Sequence, residues 1–172
     1  MDTDIGDIEK KAAATATTYA AISEKLKVDR RESVGFQQLF MKMASHSNAH
    51  ARCIRKTIRR RRGNATDRNN NDDDEQSDLE VLVHFSGTLT LTDAVRMGKT
   101  ASGALREAVR ARIRVLRSED DNEWADFLSL FDGYLEFETK TWEYLTTRTD
   151  AARTDMDKAF LDTEIEFFLD AE

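Results

Sequence analysis

Proline is absent from this chain of 172 residues, cysteine occurs 1 time, and glycine only 7 times. The missing proline removes the strongest helix breaker. Apolar side chains recur at 3.6-residue spacing almost throughout, so the expectation is an all-α protein. Cys53, the lone cysteine, excludes an internal disulfide and fits a reducing cytoplasm; it reads as a small, half-buried helix residue. The few glycines form no phosphate-cradling loop, which removes nucleotide chemistry of that type. Nor can a Ser/His/acid set be assembled for nucleophilic catalysis. No uncharged apolar run reaches the roughly 18 residues a membrane-spanning helix needs, and the opening MDTDIGDIEKK has no apolar segment of a secretory signal.

What is present is charge. Acidic residues number 33 against 26 basic ones, giving a net charge of −7, and charged residues make up 34% of the chain. An acidic balance argues against general nucleic-acid binding. Apolar content of 40% still lies outside the disordered range, and the length suits one domain with its own core.

Four helices and a fifth are expected. The first runs from Thr3 to Lys27 with a stripe of Ile5, Ile8, Ala12, Ala16, Tyr19, Ile22 and Leu26, and Asp29 to Glu32 form a turn. The second starts near Ser33 and reaches Arg62, where Gly63 and Asn64 supply a stop; its stripe holds Phe36, Leu39, Phe40, Met43, Ile54 and Ile58. Residues 63–78 are polar and aperiodic, a solvated and mobile connection. Leu79 to Phe85 fits either a strand-like crossover or a turn or two of helix, and His84 within it reads as an ordinary boundary residue. Thr90 or Thr92 caps a third helix ending near Arg117, the SEDDNE turn follows, and a fourth helix takes Glu123 to Thr147. Trp124 and Trp142 on it read as core aromatics. The fifth, Ala151 to Leu169, carries Met156, Phe160, Phe167 and Phe168 and needs the bundle or a second subunit to cover it.

Two tight hairpins joined by a connection of about 27 residues make a four-helix bundle with a single crossover, the ferritin-like topology. The bundle occupies residues 1–149, with a C-terminal docking helix and tail at 150–172.

Three polar residues interrupt the apolar stripes: Ser47 and His50 on the second helix, Glu138 on the fourth. Burying a carboxylate or imidazole costs several kcal/mol (roughly) unless it is paired, hydrogen-bonded or metal-bound. The expectation is a metal-free pair, with His50 bonding Glu138 or Ser47 across the core. His46 with His50 makes a His-x-x-x-His spacing that suits zinc. However, Ser47 stands where a metalloprotease would need glutamate.

These residues resemble a family. FQQLFMKMASHSNAHARCI, Phe36 to Ile54, is similar to the second helix of rubrerythrin-type proteins, where the run carries a metal-binding Glu-x-x-His; here it reads Ser47-x-x-His50. LFDGYLEFETKTWEYL resembles the matching fourth helix and reads Glu138-x-x-Thr141. LTLTDAVRMGKTASGALREA resembles the third helix and places its glutamate position near Ser102. Tyr19 resembles a first-helix tyrosine, placing that helix's glutamate near Ala12. The resemblance implies a ferritin-like bundle with a di-metal position of which only His50 and Glu138 keep ligating side chains. A shift in register would bring in Glu9 or Glu107. The implied function is a ligand-depleted, non-catalytic bundle acting through protein association, with the C-terminal helix as self-association surface and no cofactor expected. The alternative is a protein binding iron, manganese or zinc through His50, Glu138 and His46, for iron oxidation, storage or peroxide reduction.

A basic run, with Arg55, Arg59, Arg60, Arg61 and Arg62 at its centre, contains no acid. The third helix ends in a similar run through Arg117, and the crossover puts both at one end of the bundle. A basic end offers a nucleic-acid-binding alternative. Pairing with helix C-terminal dipoles and nearby acidic turns explains it more simply.

Overall fold

The computed structural model of the chain describes residues 2–63, 85, 87–118 and 124–170, except the side chains of 2–4, 61–63 and 167–170. The helices are α1 (Asp2–Asp29), α2 (Val34–Gly63), α3 (Leu91–Ser118), α4 (Ala125–Ala151) and α5 (Asp155–Asp170), so the all-α reading holds. Among the described residues no helix is long and apolar enough to cross a membrane. The polar connection with His84, most of the SEDDNE segment, and the side chains of Arg61, Arg62, Phe167 and Phe168 lie outside the described residues.

Local chemistry sets the helix ends. Thr90, not Thr92, caps α3: its Oγ1 accepts the Asp93 N–H at 3.1 Å while its hydroxyl donates to Asp93 Oδ2 at 2.7 Å. The fifth helix starts later than the apolar spacing suggested. Thr154 and Asp157 cap each other reciprocally, Asp157 N–H to Thr154 Oγ1 at 3.1 Å and Thr154 N–H to Asp157 Oδ2 at 2.9 Å, and Ala151 closes α4 instead.

The core has two apolar halves. One gathers Tyr19, Ile22 and Leu26 of α1 with Phe36, Phe40 and Met43 of α2, Leu91, Ala94 and Val95 of α3, and Trp142 and Leu145 of α4. The other joins Ile5, Ile8 and Ala12 to Ala51 and Ile54, Leu105 to Leu116, and Trp124 to Tyr134. The end of α1 thus meets the starts of α2 and α3 and the end of α4. The helices therefore run up, down, down and up, so α2 ends and α3 begins at opposite ends of the bundle. The Leu89 N–H donates to Asp29 Oδ2 at 2.7 Å and anchors the arriving segment to the end of α1. That N–H is the main cause holding the Asp29 carboxyl below its usual range.

Around the bundle, α1 packs on α2 and α3, while α4 packs on α3 and α2. The fifth helix docks on its own chain, lying on the start of α2 and touching α4. Leu161 and Ile165 enter the first apolar half, and the buried Asp162 accepts the Phe36 N–H at 2.8 Å. A carboxylate at a helix N-terminus satisfies otherwise orphaned N–H groups and meets the positive end of the helix dipole. Gly35 makes the fit possible, because a Cβ there would collide with the Asp162 backbone carbonyl.

Gly35→Ala should therefore loosen α5, since backbone cannot swing aside as a flexible side chain can. Limited trypsin cleavage at Arg153, in the joint between α4 and α5, should accelerate several-fold. Gly133→Ala, where added bulk meets open space, should leave cleavage unchanged.

Candidate functional site

Between the two apolar halves lies a polar layer. Ser47 of α2, Ser102 of α3 and Glu138 of α4 are each 0% exposed, and His50 is 5% exposed. Each helix delivers its polar side chain inward because the flanking apolar residues, one turn above and below, fix the buried face.

Glu138 is the centre. Its Oε2 accepts three hydrogen bonds: from the Ser102 hydroxyl at 2.6 Å, the Tyr19 hydroxyl at 2.8 Å and the Trp142 indole N–H at 3.0 Å. The indole N–H also reaches the Tyr19 oxygen at 3.2 Å. Hydrogen bonds to a charged acceptor are stronger than neutral ones, and here they tie α1 and α3 to α4. The second helix joins through Tyr134, whose hydroxyl lies 3.3 Å from Ser47 Oγ. Burial and the neighbouring Glu138 carboxylate push both the Tyr19 and Tyr134 phenols far above their ordinary range, so both stay protonated.

Trp142 reaches Glu138 because Gly98 of α3 leaves room. A Cβ on Gly98 would come within 2.5 Å of the indole Cη2 and 2.8 Å of Phe40 Cε1.

The histidines behave differently from the expected pair. His50 stacks on Tyr134 with ring centroids 4.1 Å apart and an interplanar angle of 17°. His46 lies on Phe137 at 3.8 Å. Among the described residues neither His50 Nε2 nor His46 Nδ1 has a hydrogen-bond partner, nor does Glu138 Oε1. The expected bond from His50 to Glu138 or Ser47 is therefore corrected for this nitrogen. Glu138 Oε2 and Ser47 are satisfied by phenol, indole and hydroxyl groups, which leave the imidazole to stack. Burial, with His46 beside it, pushes the His50 pKa down to about 3. Burial lowers His46 too, against the pull of the Glu138 charge.

Sequence spacing missed Tyr134, although it lies four residues before Glu138 and three after Phe131 on one helical face. An aromatic with a polar tip placed beside a buried carboxylate was the available signal.

The remaining candidates scatter. Ala12 is buried, and the half-buried Thr141 donates to its own helix at the Phe137 carbonyl, 2.9 Å away. Glu9 is engaged by Arg55 Nε at 3.1 Å, and Glu107 is exposed. Cys53 is exposed, not half-buried, because it lies outside the stripe between Ala51 and Ile54. Arg59 and Arg60 are exposed at the far end, while Arg117 pairs with Asp132 at 2.9 Å. Trp124 and Trp142 are core aromatics as expected. Among the described residues no three His, Cys, Asp or Glu side chains converge closely enough to hold a metal ion.

Compared with family models and with curated proteins, the chain matches none.

Tyr19→Phe removes one donor from Glu138 and should lower unfolding free energy by about 1.5–3 kcal/mol, the range for a bond to a charged group, as read by urea denaturation. The pH dependence has a fixed sign. An unfolded histidine protonates near its ordinary pKa of about 6.5, whereas folded His50 stays neutral down to about 3. Stability should therefore fall as pH drops through that window, by at most about 1.4 kcal/mol per unit from this residue. His50→Phe, which keeps the stacking, should show a shallower fall in paired denaturation curves at pH 7 and pH 5.

Proposed function

We propose that this chain is a ferritin-like bundle, related to the rubrerythrin type, in which a hydrogen-bonded carboxylate stands where relatives hold two metals. In this reading it is non-catalytic and acts through protein association, with α5 as the surface. The observation that carries the proposal is the saturation of Glu138 Oε2 by Ser102, Tyr19 and Trp142. Those donors suit an anion and cannot ligate a cation through the same hydrogens. The up-down-down-up helix order is compatible with the fold that this reading requires.

The donor set does not fit a di-metal centre. Such a centre takes a carboxylate from each of two helices and a Glu-x-x-His from each of the other two. The corresponding positions here are Ala12, Ser47, His50, Ser102, Glu138 and Thr141. One imidazole and one carboxylate leave most of the charge of two divalent ions uncompensated.

The unpartnered Glu138 Oε1, His50 Nε2 and His46 Nδ1 favour a second reading, a metal-binding bundle using those three residues. Against it, these three side chains do not converge on one point among the described residues, and both imidazoles lie face-on to Tyr134 and Phe137. Nucleic-acid binding at the basic end draws less support, since Arg55 and Arg117 are held by Glu9 and Asp132.

Elemental analysis of the purified protein separates the two main readings. Iron, manganese and zinc should remain far below one equivalent per chain, and Glu138→Gln should lower stability by about 1–3 kcal/mol without changing metal content. Near-stoichiometric metal that disappears in the variant would establish the metal-binding reading instead.

A further inference from the structure

The second half of α2 presents a cationic face that the packing of the bundle does not explain. Between Val34 and Gly63 the helix holds no acidic residue, although the chain as a whole carries a net charge of −7. Arg52, Lys56, Arg59 and Arg60 are all exposed there. Helical spacing puts them on one side, with about 6 Å of rise from Arg52 to Lys56 and again from Lys56 to Arg60. The bundle uses the other sides of this stretch. Ala51 and Ile54 enter the core, Arg55 turns to Glu9 of α1, and His50 stacks on Tyr134 of α4. The fifth helix lies against the opposite end of α2, at Gly35.

Two structural explanations for these cations fall short. Among the described residues none of the four makes a salt bridge, unlike Arg55 and Arg117, which pair with Glu9 and Asp132. A helix dipole acts within the last turn, and Arg52 and Lys56 lie more than a turn before Gly63. Like charges four residues apart weaken a helix. The row Arg52, Lys56, Arg60 is therefore a cost unless something negative meets it.

We propose that this face of α2 binds the phosphate backbone of duplex nucleic acid. The inference goes beyond the reading of a ferritin-like bundle that associates through α5, and either can fail without the other. Surface chemistry selects the partner. A protein partner needs an apolar anchor at the centre of the contact, yet the exposed large apolar side chains of α2 are Val34 and Met41, both ahead of the cationic stretch. A single strand needs aromatic rings on which bases stack, and none is exposed on this face. A duplex backbone needs neither. It is met by recurring cations on a polar surface, and such contacts carry no sequence information. Each strand presents one phosphate per roughly 3.4 Å of axis, so cations about 6 Å apart reach nearly every second phosphate. Four cations on an otherwise acidic molecule make the contact weak and strongly dependent on salt.

Binding of a labelled DNA duplex of about 20 base pairs, read by fluorescence anisotropy, should weaken roughly 40- to 150-fold between about 50 and 200 mM salt, the response of three or four released counterions. Combining Arg52→Gln, Lys56→Gln, Arg59→Gln and Arg60→Gln should abolish binding at the lower salt. These positions are exposed and glutamine is a good helix former, so the circular dichroism spectrum should not change. Should the combined variant fold poorly, Lys56→Gln alone should still lower the slope of log affinity against log salt by about 0.9. Arg110→Gln with Arg114→Gln, exposed on α3, should bind like the wild type. Cys53, exposed beside Lys56 and Arg60 on the helix and the chain's lone cysteine, reports the location. Saturating duplex should slow its alkylation by iodoacetamide several-fold. A wild type that ignores the duplex at low salt overturns the proposal. So does binding that survives the four substitutions, that the α3 pair abolishes, or that leaves Cys53 alkylation unchanged. Tighter binding of a single strand of equal length, or displacement by polyglutamate at equal charge, overturns the choice of duplex nucleic acid as partner.

Discussion

The carboxylate of Glu138 is the constraint around which the bundle is organised. Its Oε2 collects donors from Ser102, Tyr19 and Trp142 at 2.6, 2.8 and 3.0 Å, all in a fully buried layer. An isolated charge there would cost more than a domain of this size can offset. Three well-placed donors compensate that cost, and they do so only when α1, α3 and α4 stand at one relative height. Sliding any one of these helices by a turn would strip the carboxylate of a partner. Apolar contacts tolerate such slippage far better, so the polar layer fixes the register that the two apolar halves leave soft.

The same layer explains several choices that look unrelated along the chain. Gly98 is small because Trp142 must cross close to α3 to present its indole N–H. Ser47 is small and polar because Tyr134 points its hydroxyl there, 3.3 Å away. His50 lies flat on the ring of that tyrosine, held neutral by burial. Aromatic rings with polar tips thus carry the work of satisfying the layer, and the imidazoles supply packing area. This arrangement favours the reading of a structural centre over a ligating one.

A similar logic, charge presented to backbone dipole, holds α5. Asp162 bonds the N–H group at the start of α2, and burial raises its pKa while those backbone donors oppose the rise. The docked face of α5 is consumed by Leu161, Asp162 and Ile165, which leaves Met156 and Phe160 turned outward. Docking on its own bundle and offering a surface to another copy are therefore compatible, since they use different sides of the helix.

Much of the fold was legible in the order of the residues. With no proline and strong 3.6-residue spacing, the helices could be bounded to within a few residues, and the stripe of α1, Ile5 to Leu26, named that helix's buried apolar side chains. The later start of the fifth helix reflects chemistry that periodicity ignores, the reciprocal capping of Thr154 and Asp157. Periodicity also placed Ser47, His50 and Glu138 inside, since burial follows from spacing on one helix. It could not say who bonds whom. That Ser102 and Tyr19 reach Glu138 while His50 Nε2 does not depends on the height and rotation of four separate helices, which no single-helix pattern contains. Sequence alone thus determined which groups had to be buried. Tertiary packing decided which of them meet, because a hydrogen bond is set by distances of a few ångströms across elements far apart in the chain.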